Sequence, residues 1–252
     1  LKDKRNSMTY IISTITDKSI LMASDSRLNY HHQKINNATG ETYQIITHTA
    51  DCIRKTFIVN PFNIGVQFIG IGYFNDSGEE YPLSQFITRL ANGINSSDII
   101  TKKFRQIYLN IKKLTRLRDA GQYINGVMTG YENSIPYIST FNTFIDDFTV
   151  NAYETGTYVE SKKCQENRPK DRDEAIKYLV AKISRVSQES PQDIGGPIEI
   201  LEILPDGTNS WVQENLNLFN GTRTELLYKF QNEIQSISGK MLNPPVIQRL
   251  EI

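Results

Sequence analysis

The order of elements along the chain predicts an α+β fold, a four-layer αββα sandwich with two stacked, mainly antiparallel sheets between helix layers. Three observations carry this. Paired β-branched apolar runs open the chain, two helical patterns follow one another between strands, and βαβ alternation is missing. Helices grouped between strand pairs cover stacked sheets more readily than they cross over a parallel one.

TYIISTI at 9–15 and SILMAS at 19–24 flank a polar TDK turn and read as a hairpin, apolar enough for burial on both faces. The polar segment 28–51, with Asn37–Gly40 as its turn, reads as a hairpin or a surface loop. KTFIVN at 55–60 and NIGVQFIGIG at 63–72 follow as strands. From 80 to 117 the period changes. Leu83, Phe86, Ile87 and Leu90 make one helical face, while Phe104, Ile107, Tyr108, Ile111 and Leu114 make another, broken by 93–97. Strand composition returns at 123–132, 135–143 and 146–156, a third helix is expected over 173–186, and strands resume at 197–204 and around Trp211. Residues 226–237 read as a final helix.

Size and composition fit a single domain. The chain has 252 residues, 38% hydrophobic and 22% charged, enough to bury a full core. Residues 1–8 read as an upstream segment (vector remnant, propeptide or native sequence) ending in an initiator Met8. Residues 9–252 form the domain, with 208–252 as its C-terminal extension. Lys plus Arg and Asp plus Glu both total 28, so no global field favours nucleic acid or an anionic membrane. No apolar run spans a bilayer and no signal pattern follows LKDKRNS, so a cytoplasmic site of action is expected. Cys52 and Cys164 lack CxxC spacing and His31, His32 and His48 fall in a polar segment, which argues against structural zinc. Separated thiols in a reducing compartment are the simpler reading, with a disulfide the alternative.

Other patterns have bland explanations. IGIG at 69–72 lacks GxGxxG spacing, the basic stretch 102–118 is a helix with a solvated charged face, and NAT at 37–39 matters only in a secreted chain.

SILMASDSR at 19–27, RKTFIVNPFNIG at 54–65, INGVMTGYE at 124–132 and DIGGPIEILEILPDG at 193–207, in that order, resemble the proteasome β-subunit family of N-terminal-nucleophile hydrolases. The resemblance reaches from residue 9 to about 207 and implies a mature chain beginning at Thr9, exposed by removal of Met8. It carries the family's acidic residue to Asp25, its arginine to Arg27 and, after a longer loop, its lysine to Lys55. Its Ser-Gly falls on Thr155-Gly156. Its second aspartate falls on Pro191 with Asp193 two places away, and the glycine whose amide helps form the oxyanion hole falls on Gly70 with a one-residue shift, or on Ile69 without one.

The chemistry implied is amide hydrolysis through an acyl ester on Thr9. A free α-amine with a pKa near 7.7–8 accepts the hydroxyl proton, the Lys55 ammonium beside Asp25 favours the deprotonated amine, Thr155 hydrogen-bonds the network, and the Gly70 amide holds the oxyanion. No cofactor or metal is implied. The expected partners are copies of the same chain, as a homo-oligomer or ring, and a peptide or amide substrate, with any regulatory ATPase unassigned. Two rivals accompany this reading. One is a non-catalytic proteasome-like subunit, favoured by Glu154 before Thr155, the displaced aspartate and the residues before Thr9. The other is an amidohydrolase of small molecules.

Overall fold

A computed structural model describes residues 9–35, 42–69, 73–76, 79–116, 124–160, 163–165 and 169–229. The opening hairpin forms as β1 (Ile11–Ile15) and β2 (Ile20–Ser24), paired from Ile11 with Ser24 to Ile15 with Ile20. Both strands are buried throughout, as their unbroken apolar and β-branched composition requires. Residues 28–51 take the hairpin alternative, β3 (Leu28–Ile35) against β4 (Thr42–Ala50), and the Asn37–Gly40 turn lies outside the described residues. Next come β5 (Thr56–Val59), β6 (Ile64–Ile69), β7 (Tyr73–Asp76) and β8 (Glu79–Pro82).

The first helix is shorter than its apolar spacing suggests. Glu79–Pro82 pairs with Tyr73–Asp76, and only then does a 3₁₀ turn at Leu83–Phe86 run into α1 (Ile87–Leu90). The second, α2 (Ile100–Arg116), has the expected length and buries Phe104, Ile107, Tyr108 and Ile111. Strands β9 (Asn125–Glu132), β10 (Ile135–Asn142) and β11 (Asp147–Ala152) form a meander. Two three-residue strands that the pattern did not reveal, β12 (Tyr158–Glu160) and β13 (Lys163–Gln165), follow. The helix α3 (Arg172–Glu189) begins where the Asp171 carboxylate accepts the N–H groups of Asp173 and Glu174. β14 (Glu199–Ile203) and β15 (Asn209–Gln213) complete the strands of the described residues, and 223–229 is helical; the rest of the helix expected to 237 lies outside the described residues.

Two antiparallel sheets stack. One has six strands in the order β13-β12-β1-β2-β14-β15, the other five in the order β11-β10-β9-β6-β5. Alternation along β1 divides its side chains between two cores. Ile11 and Ile15 meet Met22, Val127, Ile138 and Leu201 between the sheets, while Tyr10 and Ile12 meet Leu179 and Ile183 of α3. On the outer face of the second sheet, α2 packs on Val66, Phe68 and Phe141. Helix, sheet, sheet and helix make the αββα sandwich, with β1 at its centre.

Polar groups also cross between the sheets. Ser13 donates to Gln67 Oε1 at 3.0 Å, and Gln67 Nε2 donates to the Ala23 carbonyl at 2.9 Å and to Thr56 Oγ1 at 3.0 Å. Each is fully buried, so the partners fix the registration of one sheet on the other at the cost of leaving no member removable alone. No helix among the described residues is long and apolar enough to cross a membrane.

Candidate functional site

The head of β1 meets a buried cluster of four charges. Asp25, directly after β2, is fully buried, and its Oδ1 lies 2.8 Å from Lys55 Nζ, itself 2% exposed as a residue. Backbone donors complete the carboxylate: Tyr10 N–H reaches Oδ1 at 2.9 Å, and the N–H groups of Arg27 and Gly195 reach Oδ2, each at 3.2 Å. Burial pushes the Lys55 ammonium below its ordinary pKa, against the pull of Asp25.

Arg27 forks onto Asp51, with Nε to Oδ1 at 2.6 Å and Nη2 to Oδ2 at 2.5 Å, and its Nη1 donates to the Pro191 carbonyl. The loop 190–196 closes over this arrangement. Gln192 accepts from Asn29 Nδ2 at 2.6 Å, Gly195 accepts from Ser26 N–H at 3.2 Å, and the positive φ of Gly196, 75°, turns the chain where a side chain would strike Ser26 and Asp51. Two acids and two bases thus neutralise one another under a cover of backbone.

Thr9 lies one residue before the amide that binds Asp25 and is 5% exposed. Asp25, Arg27 and Lys55 are therefore brought together beside it. Thr155 is not. It is exposed in a turn at the other end of β1, where Gly156 N–H donates to the Ile15 carbonyl at 2.8 Å and Ile15 N–H to the Thr157 carbonyl at 3.0 Å. Six residues of near-extended chain separate that end from Thr9, about 20 Å at 3.3 Å per residue. Asp193 lies in the loop that covers the cluster, where its own N–H closes a turn onto the Ser190 carbonyl at 3.0 Å. Gly70 lies outside the described residues; Ile69, its alternative, is the last residue of β6 and packs between the sheets.

Several contributors were not singled out from the sequence: Asp51, Asn29 and the direct bond from Gly195 to Asp25. The Gly-Gly dipeptide was the available signal, since adjacent glycines before a strand mark a close backbone approach. Tyr10 adds a second tie, its hydroxyl donating to Glu160 Oε1 at the end of β12 while Lys182 of α3 reaches Oε2 at 3.4 Å. Among the described residues no group of three or more His, Cys, Asp or Glu side chains is placed to hold a metal ion.

Glu199 is a further buried carboxylate, bonded by Arg54 Nε at 3.1 Å and by Asn215 N–H at 3.4 Å, while its Oε2 has no hydrogen-bond partner. Burial raises its pKa above the usual carboxylate range. The folded chain therefore holds this proton more tightly than the unfolded chain, which contributes stability below the unfolded pKa, near 4.3, that is lost as pH rises through the folded value. Glu199→Gln keeps the acceptor for Arg54 without the charge. Urea unfolding from pH 4 to 8 should show the variant gaining on the native chain as pH rises through that window; a constant difference would contradict the assignment.

No protein-family model matches the sequence, and no curated protein matches it. Solved structures do match. The (Gly-1) mutant of Anbu from Hyphomicrobium sp. strain MC1 superposes with a TM-score of 0.51 at 11% identity, over 94% of this chain and 100% of that one. The fold is similar to Anbu's. The helical assembly of the Anbu complex from Pseudomonas aeruginosa gives a TM-score of 0.51 at 13% identity, over 94% of this chain and 98% of that one. The likeness covers nearly the whole of both chains. At these identities it establishes the architecture and leaves the chemistry to the residues.

Proposed function

We propose that the chain is a self-assembling, non-catalytic subunit of the N-terminal-nucleophile hydrolase fold. The placement of Thr155 carries this reading: the hydroxyl expected to assist Thr9 is exposed at the far end of β1. With Met8 attached, the nitrogen of Thr9 is a peptide amide and accepts no proton. The charge cluster then acts as a structural clasp between β1, β2 and the 51–55 segment. Assembly is supported by the likeness to the Pseudomonas aeruginosa protein, which forms a helical complex. A cytoplasmic location belongs to the same proposal, with Cys52 a free, buried thiol.

The Asp25–Lys55 contact of 2.8 Å favours a second reading, a threonine amide hydrolase in the form that begins at Thr9. In that form the α-amine takes the Thr9 hydroxyl proton, the oxygen attacks the amide carbon to form an ester, the departing amine leaves with the proton, and water hydrolyses the ester. One experiment separates the readings. A chain released at Thr9 by cleavage of an N-terminal fusion is compared with its Thr9→Ala counterpart for peptide turnover, small-amide turnover and a covalent adduct with a β-lactone. The first reading predicts no difference between them, with native mass spectrometry showing a multimer. A Thr9-dependent adduct with turnover establishes the second, and turnover restricted to small amides makes it an amidohydrolase.

A further inference from the structure

The segment that delivers Lys55 is held from two sides. On the inner side, Ile53 N–H donates to the Ser26 carbonyl at 3.1 Å and Lys55 reaches Asp25. On the outer side lies the C-terminal extension. Glu214 pairs with Arg54 at 2.7 Å, Phe219 N–H donates to the Cys52 carbonyl at 3.1 Å, and Gln85 Nε2 donates to the Asn220 carbonyl at 3.2 Å. Thr222 and Glu225 then bond each other's backbone N–H groups, at 3.2 and 2.7 Å, which starts the helix at 223–229 and sets Leu226 fully buried against Ala50, Cys52 and Ile53.

The attachments on the two sides are unequal. Between the buried Asn215, whose N–H bonds Glu199, and the buried Thr222, residues 216–221 contribute no strand to either sheet and include no buried residue, Leu216 is 85% exposed, and the bond from Gln85 reaches the surface. Phe219 nonetheless closes one wall of a small cavity whose other walls include Ile53, Phe57 and Leu83. This cavity, whose lining also includes Arg54, Ser84 and Asn220, is therefore walled in part by the chain's own tail. Segments held by few buried contacts and exposed hydrogen bonds open at lower free energy than sheet cores.

We propose that residues 216–221, between the buried anchors Asn215 and Thr222, are a strap that opens independently of the two sheets, uncovering one side of Cys52, the cavity at Phe57 and the outer face of the segment that carries Lys55. Closed, the strap walls the cavity and holds the segment before Lys55 from outside through the Phe219 N–H on the Cys52 carbonyl. This holds whether or not Thr9 is a nucleophile.

Cys52 reports the motion directly, because it is 3% exposed and burial holds its thiol at a pKa of about 11, both of which suppress reaction while the strap is closed. The full chain carrying Cys164→Ser is labelled with a thiol-reactive disulfide reagent, with and without Phe219→Ala. Labelling of Cys52 is expected to accelerate about tenfold in the Phe219→Ala chain, while amide exchange in β2 and β14 stays unchanged. Unaltered labelling overturns the proposal, as does an acceleration matched by equal loss of protection in β2 and β14. Should Phe219→Ala fail to fold, Gln85→Ala removes only the exposed bond to Asn220 and is read by the same two measurements.

Discussion

Asp25→Ala is expected to destabilise the fold by about 3–5 kcal/mol, the range for removing one partner of a buried ion pair. The carboxylate accepts from Lys55 and from the backbone N–H groups of Tyr10, Arg27 and Gly195, so its loss strands one ammonium and three amides. Lys55→Met is expected to cost less, since Asp25 keeps its three backbone donors. The double variant Asp25→Ala/Lys55→Met should be more stable than Asp25→Ala alone, because the second substitution removes the stranded charge. Urea unfolding of the three variants closes the cycle. A double variant less stable than Asp25→Ala would show that Lys55 is held by something other than Asp25.

The parts of this architecture that could be read from the sequence are those with a strong local period. β1 and β2 are continuous β-branched and apolar runs, and α2 shows five apolar positions at helical spacing, so each announced its type. Spacing misled at Leu83, Phe86, Ile87 and Leu90. The same four positions are served by a 3₁₀ turn leading into one α-turn, and the preceding Glu80 to Pro82 are taken by a strand whose partner is Tyr73–Asp76. Three residues carry too little pattern to reveal β12 or β13. Among site residues, Asp25, Arg27 and Lys55 came from ordered fragments and meet in space. Thr155 depends on something no dipeptide encodes, the register that sets Glu160 opposite Ile12 and so carries residues 155–157 to the far end of β1. Asp51 was hidden because its partner, Arg27, lies across the whole β3–β4 hairpin.

The paired glycines supply the second large effect. A Cβ on Gly195 would stand 2.5 Å from Arg27 Cζ and 2.8 Å from both terminal guanidinium nitrogens. The clash falls on the planar head of the side chain, which the Asp51 fork and the Pro191 carbonyl already hold in place. To admit a methyl group, either the guanidinium leaves its fork or the loop moves outward and takes the Gly195 N–H away from Asp25. Gly195→Ala should therefore cost about 3 kcal/mol, the upper part of the range for overpacking, since either response breaks a charged hydrogen bond as well. The two responses are separable. If the guanidinium moves, Arg27→Lys in the same chain should restore part of the loss, because a single ammonium in place of the planar guanidinium vacates the space where the methyl group lies. If the loop moves, Arg27→Lys adds its own cost, and amide exchange at Ser26, whose N–H donates to the Gly195 carbonyl, should accelerate. A Gly195→Ala chain of native stability would mean that the loop does not lie on Arg27 at all, and the clasp would reduce to Asp25 and Lys55.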